Sequence, residues 1–245
     1  MLCVKQLVES GCLTTVPSKY VSRRSLEYSE GRFADQEVVI PIIDFSLLTC
    51  GNAEQRSKVI EDLGNTCREW GFFMVRTTYK GARVFDLIDE EKHEYAGRAL
   101  FEPIRILQRS TRSGGSIAER NIKSLGLEET YIENIMDMKS GAHQLLVINM
   151  YPPCPQPDVA MGLPPHSDHG LLTLLTQNEL SGLQVIHNGN WVSVNPFPTL
   201  FVITGDHMEI LTNGKYKSVV HRALVNDKAT RISVGTAHGP RLRRL

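Results

Sequence analysis

Three short motifs in the second half of the chain carry side chains that could act together. His166 and Asp168 stand two residues apart, His221 follows fifty-five residues after His166, and Arg231 and Ser233 come ten and twelve residues later. Two imidazoles and one carboxylate are the ligand set that holds non-haem Fe(II) by one face of its octahedron and leaves positions open. An Arg and a hydroxyl two residues apart in an extended segment point to the same side of a strand. In that arrangement the planar guanidinium can bind a carboxylate through two parallel hydrogen bonds. The pattern therefore predicts a metal site beside a carboxylate site.

Each motif is weakly specific when it is taken singly. A His two residues from an Asp is common, and it is more often a hydrogen-bonded pair or a surface couple than a metal site. The chain has eight His, so a distal His is available at almost any spacing. The segment 231–234 is more informative, because an Arg on an apolar strand needs a partner, although a surface cation is the alternative. The interpretation depends on the flanking sequence.

The flanking sequence repeats a known order of motifs. Its segments are NMYPPCPQP at 149–157, MGLPPHSDHGLLTLL at 161–175, GLQV at 182–185, GDHMEILTNG at 205–214 and KSVVHRA at 217–223. This run resembles the plant-type 2-oxoglutarate- and Fe(II)-dependent dioxygenases, the group of flavonoid, hormone and alkaloid oxygenases. The resemblance is nearly continuous from Leu125 to Pro240, and residues 16–75 are similar to the leading segment of that family.

The resemblance implies a fold, a reaction and a set of site residues. The implied fold is α+β, with a double-stranded β-helix (jelly-roll) core that follows a helical N-terminal region. The implied reaction hydroxylates or desaturates a small plant secondary metabolite or hormone and converts 2-oxoglutarate to succinate, with ascorbate as a candidate reductant. The implied Fe(II) ligands and catalytic residues are His166, Asp168 and His221, the last on a strand across the barrel. The implied 2-oxoglutarate contacts are Arg231, Ser233, Tyr151 and Asn149.

Local patterns predict helices first and strands afterwards. Apolar residues at three- and four-residue steps predict a helix over 52–70, between strands at 38–45 and 71–75. A further helix is expected over 128–138. From residue 143 the period changes to short strands, at 145–148, 172–175, 183–186, 191–194, 200–203, 219–221 and 232–234. We expect a loosely ordered segment 1–37, an N-terminal α/β region 38–124, a jelly-roll domain 125–240 and a basic tail 241–245.

Local geometry also gives expectations near the motifs. Strand alternation places positions 166 and 168 on one face and His169 on the other. The histidines at 169, 187, 207 and 238 stand outside the ligand positions implied by the resemblance. Asp206 is expected to be a helix N-cap. Asn213-Gly214 could be a hairpin turn or a helix C-cap.

The composition is that of an ordinary globular protein. Hydrophobic residues make up 41% and charged residues 22% of the 245 residues. Lys plus Arg equals Asp plus Glu at 27 each, so no global charge favours nucleic acid or an anionic membrane. Five scattered Cys suit reduced thiols better than disulfides. We therefore expect a soluble, cytoplasmic protein without a nucleic-acid or membrane partner. The partners that the resemblance implies are a small-molecule substrate, 2-oxoglutarate and dioxygen, and we expect a monomer.

The chain also departs from the family pattern. It is shorter than expected between Val75 and Leu125, and it ends at Leu245, five residues after Pro240, where the family continues. Three functions follow as alternatives. They are an active dioxygenase, a truncated and catalytically weak or inactive relative that keeps the metal site, and a jelly-roll module that binds a ligand without redox chemistry.

Overall fold

The computed structural model describes residues 4–11, 13–21, 39–76, 143–195 and 200–239. The helix expected at 128–138 lies outside these residues. The strands are β1 (Ile42–Asp44), β2 (Phe72–Arg76), β3 (His143–Tyr151), β4 (Met161–His166), β5 (Leu172–Gln177), β6 (Leu183–His187), β7 (Asn190–Ser193), β8 (Leu200–Thr204), β9 (His221–Leu224) and β10 (Arg231–Gly239). The helices are α1 (Val4–Glu9), α2 (Ser46–Cys50), α3 (Ala53–Glu69) and α4 (Asp206–Leu211), with 3-10 turns at Ser18–Tyr20 and Pro157–Val159.

The strands form two sheets. A six-stranded sheet has the order β1-β2-β8-β5-β10-β3, and a four-stranded sheet has the order β4-β9-β6-β7. β1 and β2 pair in parallel, and the other pairs are antiparallel. The chain crosses between the sheets several times, so residues far apart in sequence meet. This two-sheet arrangement is the jelly-roll expected from the sequence.

Helix α3 matches the helix predicted over 52–70. Its N-cap Asn52 accepts from the Gln55 amide at 2.8 Å, and the Gln55 side chain accepts from the Asn52 amide at 2.9 Å. This capping box satisfies two amides that the first turn of a helix leaves without partners. The inner face buries Leu63 completely. It also buries Cys67, and burial raises the pKa of that thiol to about 12.

The apolar face of α3 packs on the large sheet. Leu63 and Cys67 belong to one core cluster with Phe73 and Val75 of β2 and with Val202 of β8. Burying a side chain of this size stabilises the fold by about 1.5–3 kcal/mol. None of the helices in the described ranges has the length and apolar composition to span a lipid bilayer.

Most predicted strands are present, and one of them begins at a different residue. The strand predicted over 219–221 begins instead at His221 and runs to Leu224. The carbonyl of Val220 accepts from Ile186 at 2.9 Å outside the ladder, so the apolar residues before His221 lead into the strand rather than form it. The short α1 and the Ser18–Tyr20 turn lie within the segment 1–37, which was expected to be loosely ordered.

Candidate metal and carboxylate site

Two histidines lie side by side on neighbouring strands of the small sheet. His166 ends β4, His221 begins β9, and the two residues are direct ladder partners. Their Nε2 atoms lie 3.7 Å and 3.8 Å from Oδ1 of Asp168. One ligand atom from each of the three side chains lies within 4.8 Å of the others. Among the described residues, this is the group of His, Cys, Asp and Glu that could enclose a metal ion.

Two details of the sequence-based geometry are wrong. His221 was expected on a strand across the barrel, but it lies on the neighbouring strand of the same sheet, because β9 pairs directly with β4. Asp168 lies two residues beyond the end of β4, so strand alternation does not direct its side chain. Its position depends instead on a backbone bond, in which the amide of Asp206 donates to its carbonyl at 2.7 Å.

Backbone carbonyls orient both imidazoles. Nδ1 of His166 lies 2.8 Å from the carbonyl oxygen of Pro164, and Nδ1 of His221 lies 3.2 Å from that of Val219. A carbonyl oxygen can only accept, so Nδ1 carries the proton and the Nε2 lone pair faces Asp168. Burial lowers the pKa of His221, and the nearby His166 lowers it further against the opposing effect of Asp168. The neutral imidazole is the form that binds a metal.

Arg231 and Ser233 are buried side by side on β10. Their exposed fractions are 1% and 3%, whereas Ile232 between them is half-buried. Nη2 of Arg231 donates to Oε1 of Gln177, and the guanidinium carbon lies 5.1 Å from the ring centroid of Tyr151. Burial lowers the pKa of Arg231, and Tyr151 opposes that effect.

The remaining donors of this guanidinium have no partner. Nε and Nη1 of Arg231 and Nε2 of Gln177 are buried without a hydrogen bond. A buried cation without an anion is strongly unfavourable. The donors therefore fit a bound carboxylate, which accepts from planar N–H groups in this geometry.

Asn149 and Tyr151 lie on β3, opposite Ser233 and Arg231 in the ladder. Tyr151 is buried, and β4 packs directly on its ring at Gly162. A Cβ atom at Gly162 would lie 2.7 Å from Cδ1 of Tyr151, so a larger residue would displace the ring. Both β3 residues border the same cavity as Arg231.

One cavity of about 500 Å³ contains all of these groups. Both sheets line it, since β4 and β9 carry His166 and His221 while β10 carries Arg231. Its other walls are mainly apolar, from Leu145, Val147, Leu163, Leu175, Leu183, Ile203, Ala223 and Ala237. A metal ion and a carboxylate could thus bind together next to an apolar space.

The other histidines among the described residues lie outside the metal group. The side chain of His169 is 95% exposed and lies 3.1 Å from Asp206. His187 stacks on Trp70 with ring centroids 3.6 Å apart. His238 borders the cavity, and its Nδ1 bonds to the Thr236 carbonyl at 3.1 Å. His207 donates from Nδ1 to the carbonyl of His169.

Two residues near the site were missed or misinterpreted from sequence. Gln177 was not singled out, although it alternates with Leu175 on the inward face of β5 and faces Arg231. Asp206 was expected to be an N-cap, but Gly205 occupies that position and makes no side-chain cap. Asp206 is the first helical residue, and its carboxylate bonds to other segments. Thr212 is the C-cap of α4, and Asn213 and Gly214 follow it with amide bonds to the carbonyls of Ile210 and Glu209, so this pair belongs to the helix end and not to a hairpin turn.

Two family models match the chain. Residues 142–240 match the 2OG-Fe(II) oxygenase superfamily. Residues 40–132 match the N-terminal region of a non-haem dioxygenase in morphine synthesis. The first match contains every candidate metal and carboxylate residue named above.

Similar proteins are plant oxygenases. A 2-oxoglutarate-dependent dioxygenase 19 from Oryza sativa subsp. japonica is 37% identical over 256 aligned positions, which cover 82% of this chain and 76% of the relative. Thebaine 6-O-demethylase from Papaver somniferum is 30% identical, with 94% and 80% of the two chains covered. The first alignment has more positions than the 245 residues of this chain, so that relative carries internal residues that this chain lacks.

A solved structure has the same fold. The crystal structure of JOX2 in complex with 2OG, Fe and JA superimposes with a TM-score of 0.78 at 24% identity, and the match covers 98% of this chain and 84% of the other. The family models and the rice relative together establish the identity of the group. The chain belongs to the 2-oxoglutarate- and Fe(II)-dependent dioxygenases.

Proposed function

We propose that His166, Asp168 and His221 bind the Fe(II) of this dioxygenase and that Arg231 binds the distal carboxylate of 2-oxoglutarate. Ser233, Tyr151 and Asn149 complete the cosubstrate site in this proposal. One observation carries it: the metal group and a guanidinium with two buried nitrogen atoms that lack hydrogen-bond partners border the same cavity. A structural role for Arg231 alone would leave these donors unsatisfied.

The residues of the chain have separate roles in this proposal. The Pro164 and Val219 carbonyls hold the imidazoles with Nε2 towards the metal, which fixes the ring orientation before the metal binds. Asp168 supplies the negative charge of the ligand set. Arg231 orients 2-oxoglutarate through its far end, with its own position set by Gln177. Ser233 adds a hydroxyl donor next to that carboxylate.

The bound Fe(II) and 2-oxoglutarate supply the oxidising chemistry, in which dioxygen and 2-oxoglutarate give succinate and carbon dioxide while the substrate is hydroxylated or desaturated. The protein contributes the positions of these groups. Arg231 is 1% exposed, and its burial in low-dielectric surroundings strengthens its charge interactions. The apolar walls of the cavity leave surface for a substrate.

We infer that the substrate is a small plant secondary metabolite or hormone. The names of the relatives support this inference, since they include a thebaine demethylase and 1-aminocyclopropane-1-carboxylate oxidases. The mainly apolar cavity of about 500 Å³ is of a size for a small organic molecule. A monomeric state, a cytoplasmic location and the absence of a nucleic-acid partner stay predictions.

The metal assignment is tested by titration of the metal-free protein. We expect one Fe(II) per chain under anaerobic conditions and a large loss of affinity in His221→Ala, because the variant lacks one of three ligands. His187→Ala is the matched control, since His187 stacks on Trp70 away from the metal group. Unchanged Fe(II) affinity in His221→Ala would contradict the assignment. Succinate formation from 2-oxoglutarate then distinguishes an active dioxygenase from a module that binds ligands without redox chemistry.

A further inference from the structure

The N-terminus of α4 packs against the loop that carries Asp168. The Asp206 amide donates to the Asp168 carbonyl at 2.7 Å, and the His207 amide donates to the Gly170 carbonyl at 3.2 Å. A Cβ atom at Gly205 would lie 2.6 Å from the Asp168 carbonyl oxygen. The backbone of this helix is therefore in direct contact with one proposed metal ligand.

The Asp206 carboxylate connects that loop to a second segment. Its Oδ2 lies 3.1 Å from Nδ1 of His169, the residue that follows Asp168. Its Oδ1 accepts from the hydroxyl of Ser218 at 2.7 Å, three residues before His221. One side chain thus joins two segments that each lead directly to a proposed metal ligand.

Helix α4 makes a second hydrogen bond with Ser218. Oε2 of Glu209, one turn along α4, accepts from the Ser218 amide at 2.6 Å. Both the hydroxyl and the amide of Ser218 are consequently fixed by α4. A shift of this helix would move the approach to His221 and the Asp168 loop together.

Simpler roles for Asp206 do not account for these contacts. The N-cap of α4 is Gly205, so the carboxylate does not cap the helix. Asp206 is outside the group of described residues that could enclose a metal. Burial works to raise the pKa of Asp206, but hydrogen bonds from Ser218, Ser167 and His169 outweigh it and lower the pKa below 3.8. The side chain is an anion that accepts from neighbouring segments.

We propose that Asp206 is a positioning residue of the metal centre, which sets the distance between Asp168 and His221 by holding the segments next to both. This inference rests on the proposed function, because it requires those two residues to be metal ligands. The carboxylate is suited to this position since its two oxygens accept from two different segments at once.

The test is Co(II) binding to the full chain, with Co(II) as a spectroscopic substitute for Fe(II). Asp206→Asn keeps the shape of the side chain but replaces one acceptor oxygen by a donor. We expect the Co(II) affinity to fall at least about tenfold, which is typical when a partner that orients a ligand is lost. The visible absorption bands of bound Co(II) should also change, because the arrangement of ligands changes. Asp227→Asn makes the same chemical change on the exposed turn between β9 and β10, and it should leave both readouts unchanged.

Ser218→Ala provides an independent variant that removes only one of the two connections. It should shift affinity and spectrum in the same direction as Asp206→Asn but less. A folded Asp206→Asn variant with the affinity and spectrum of the parent protein would overturn the inference. If that variant does not fold, an unaltered Ser218→Ala protein would overturn it instead. Retained metal binding in His221→Ala would count against the proposed function itself, whereas retained binding in Asp206→Asn alone would count only against this positioning role.

Discussion

At the scale of single residues, the buried charge of Arg231 is the feature that most favours a bound ligand. Its side chain is almost fully buried, its Nη2 donates to the neutral Gln177, and its Nε and Nη1 have no hydrogen-bond partner. The stabilisation of a buried cation by a neutral amide is smaller than its loss of hydration. A carboxylate that accepts from Nε and Nη1 would compensate for the hydration that the guanidinium loses on burial. The energy of cosubstrate binding and the energy of burying Arg231 are therefore linked.

We predict that Arg231→Ala loses most of the affinity for 2-oxoglutarate. A hydrogen bond to a charged group contributes about 1.5–3 kcal/mol, which corresponds to roughly a 10- to 150-fold weaker affinity for each bond lost. Arg231→Lys keeps the charge but lacks the planar fork, so its affinity should lie between those of the parent protein and the alanine variant. Isothermal titration of the anaerobic Fe(II)-loaded protein measures these values.

The control for this prediction is the metal affinity of the same variants. Arg231 lies on the large sheet and the two histidines on the small sheet, so Fe(II) should bind the alanine variant as it binds the parent. Undiminished 2-oxoglutarate affinity in Arg231→Ala would show that the cosubstrate carboxylate binds elsewhere.

At the scale of secondary-structure elements, the six-residue helix α4 helps to set the position of the loop that carries Asp168. Gly205 at its N-cap has an extended backbone that any residue could adopt, so its need for glycine is steric. A Cβ atom there would lie 2.2 Å from the Gly170 carbonyl oxygen as well as close to that of Asp168. Both obstacles are backbone atoms, which cannot rotate away.

We predict that Gly205→Ala displaces α4 from the Asp168 loop. Overpacking of this kind costs about 1–3 kcal/mol of stability, and the shifted loop should weaken metal binding as well. Gly235→Ala is the matched control, because a Cβ atom there meets only side-chain atoms at 3.7 Å. Urea unfolding and Fe(II) titration measure the two effects. Parent-like values for both in Gly205→Ala would contradict the contact between helix and loop.

Sequence patterns predicted the elements better than the geometry between them. The helix over 52–70 was predictable because its apolar period and its capping residues are local properties. The strand of His221 was expected across the barrel and not beside β4, since ladder partners depend on crossovers that no local pattern records. Asp168 was expected to follow strand alternation, but β4 ends at His166 and tertiary contacts set the loop beyond it. The role of Gln177 depends on the register between β5 and β10, which the sequence does not display.

At the scale of the whole molecule, the site exists only because two sheets enclose one cavity. The small sheet carries the two histidines, and the large sheet carries Arg231 and Ser233. Neither sheet alone would bring metal and cosubstrate together. Loss of global stability should therefore reduce both binding functions, even where no site residue is changed.

Partly buried histidines make that global stability depend on pH. Burial lowers the pKa of His187, and Lys217 lowers it further while Glu69 opposes. Burial likewise lowers the pKa of His238, against its hydrogen bonds with the backbone of Thr236 and Leu172. Above the unfolded pKa of about 6.5, both states are neutral and these residues contribute no pH dependence. Below it, the unfolded chain binds protons that the folded chain does not, so stability falls as the pH falls.

We predict that the metal-free protein unfolds at a lower urea concentration near pH 5.5 than near pH 7.5, a window that begins at the unfolded histidine pKa of about 6.5. The lowered pKa of Asp206 acts in the same direction but only below about 3.8, so it does not enter this window. His187→Phe should reduce the difference between the two midpoints, because it keeps a ring against Trp70 and removes one titrating group. The measurement requires a chelator, since protons compete with the metal for His221 and would add a second dependence. Equal midpoints at the two pH values, or a higher midpoint at the lower pH, would mean that these imidazoles are protonated as readily in the folded protein as in the unfolded chain.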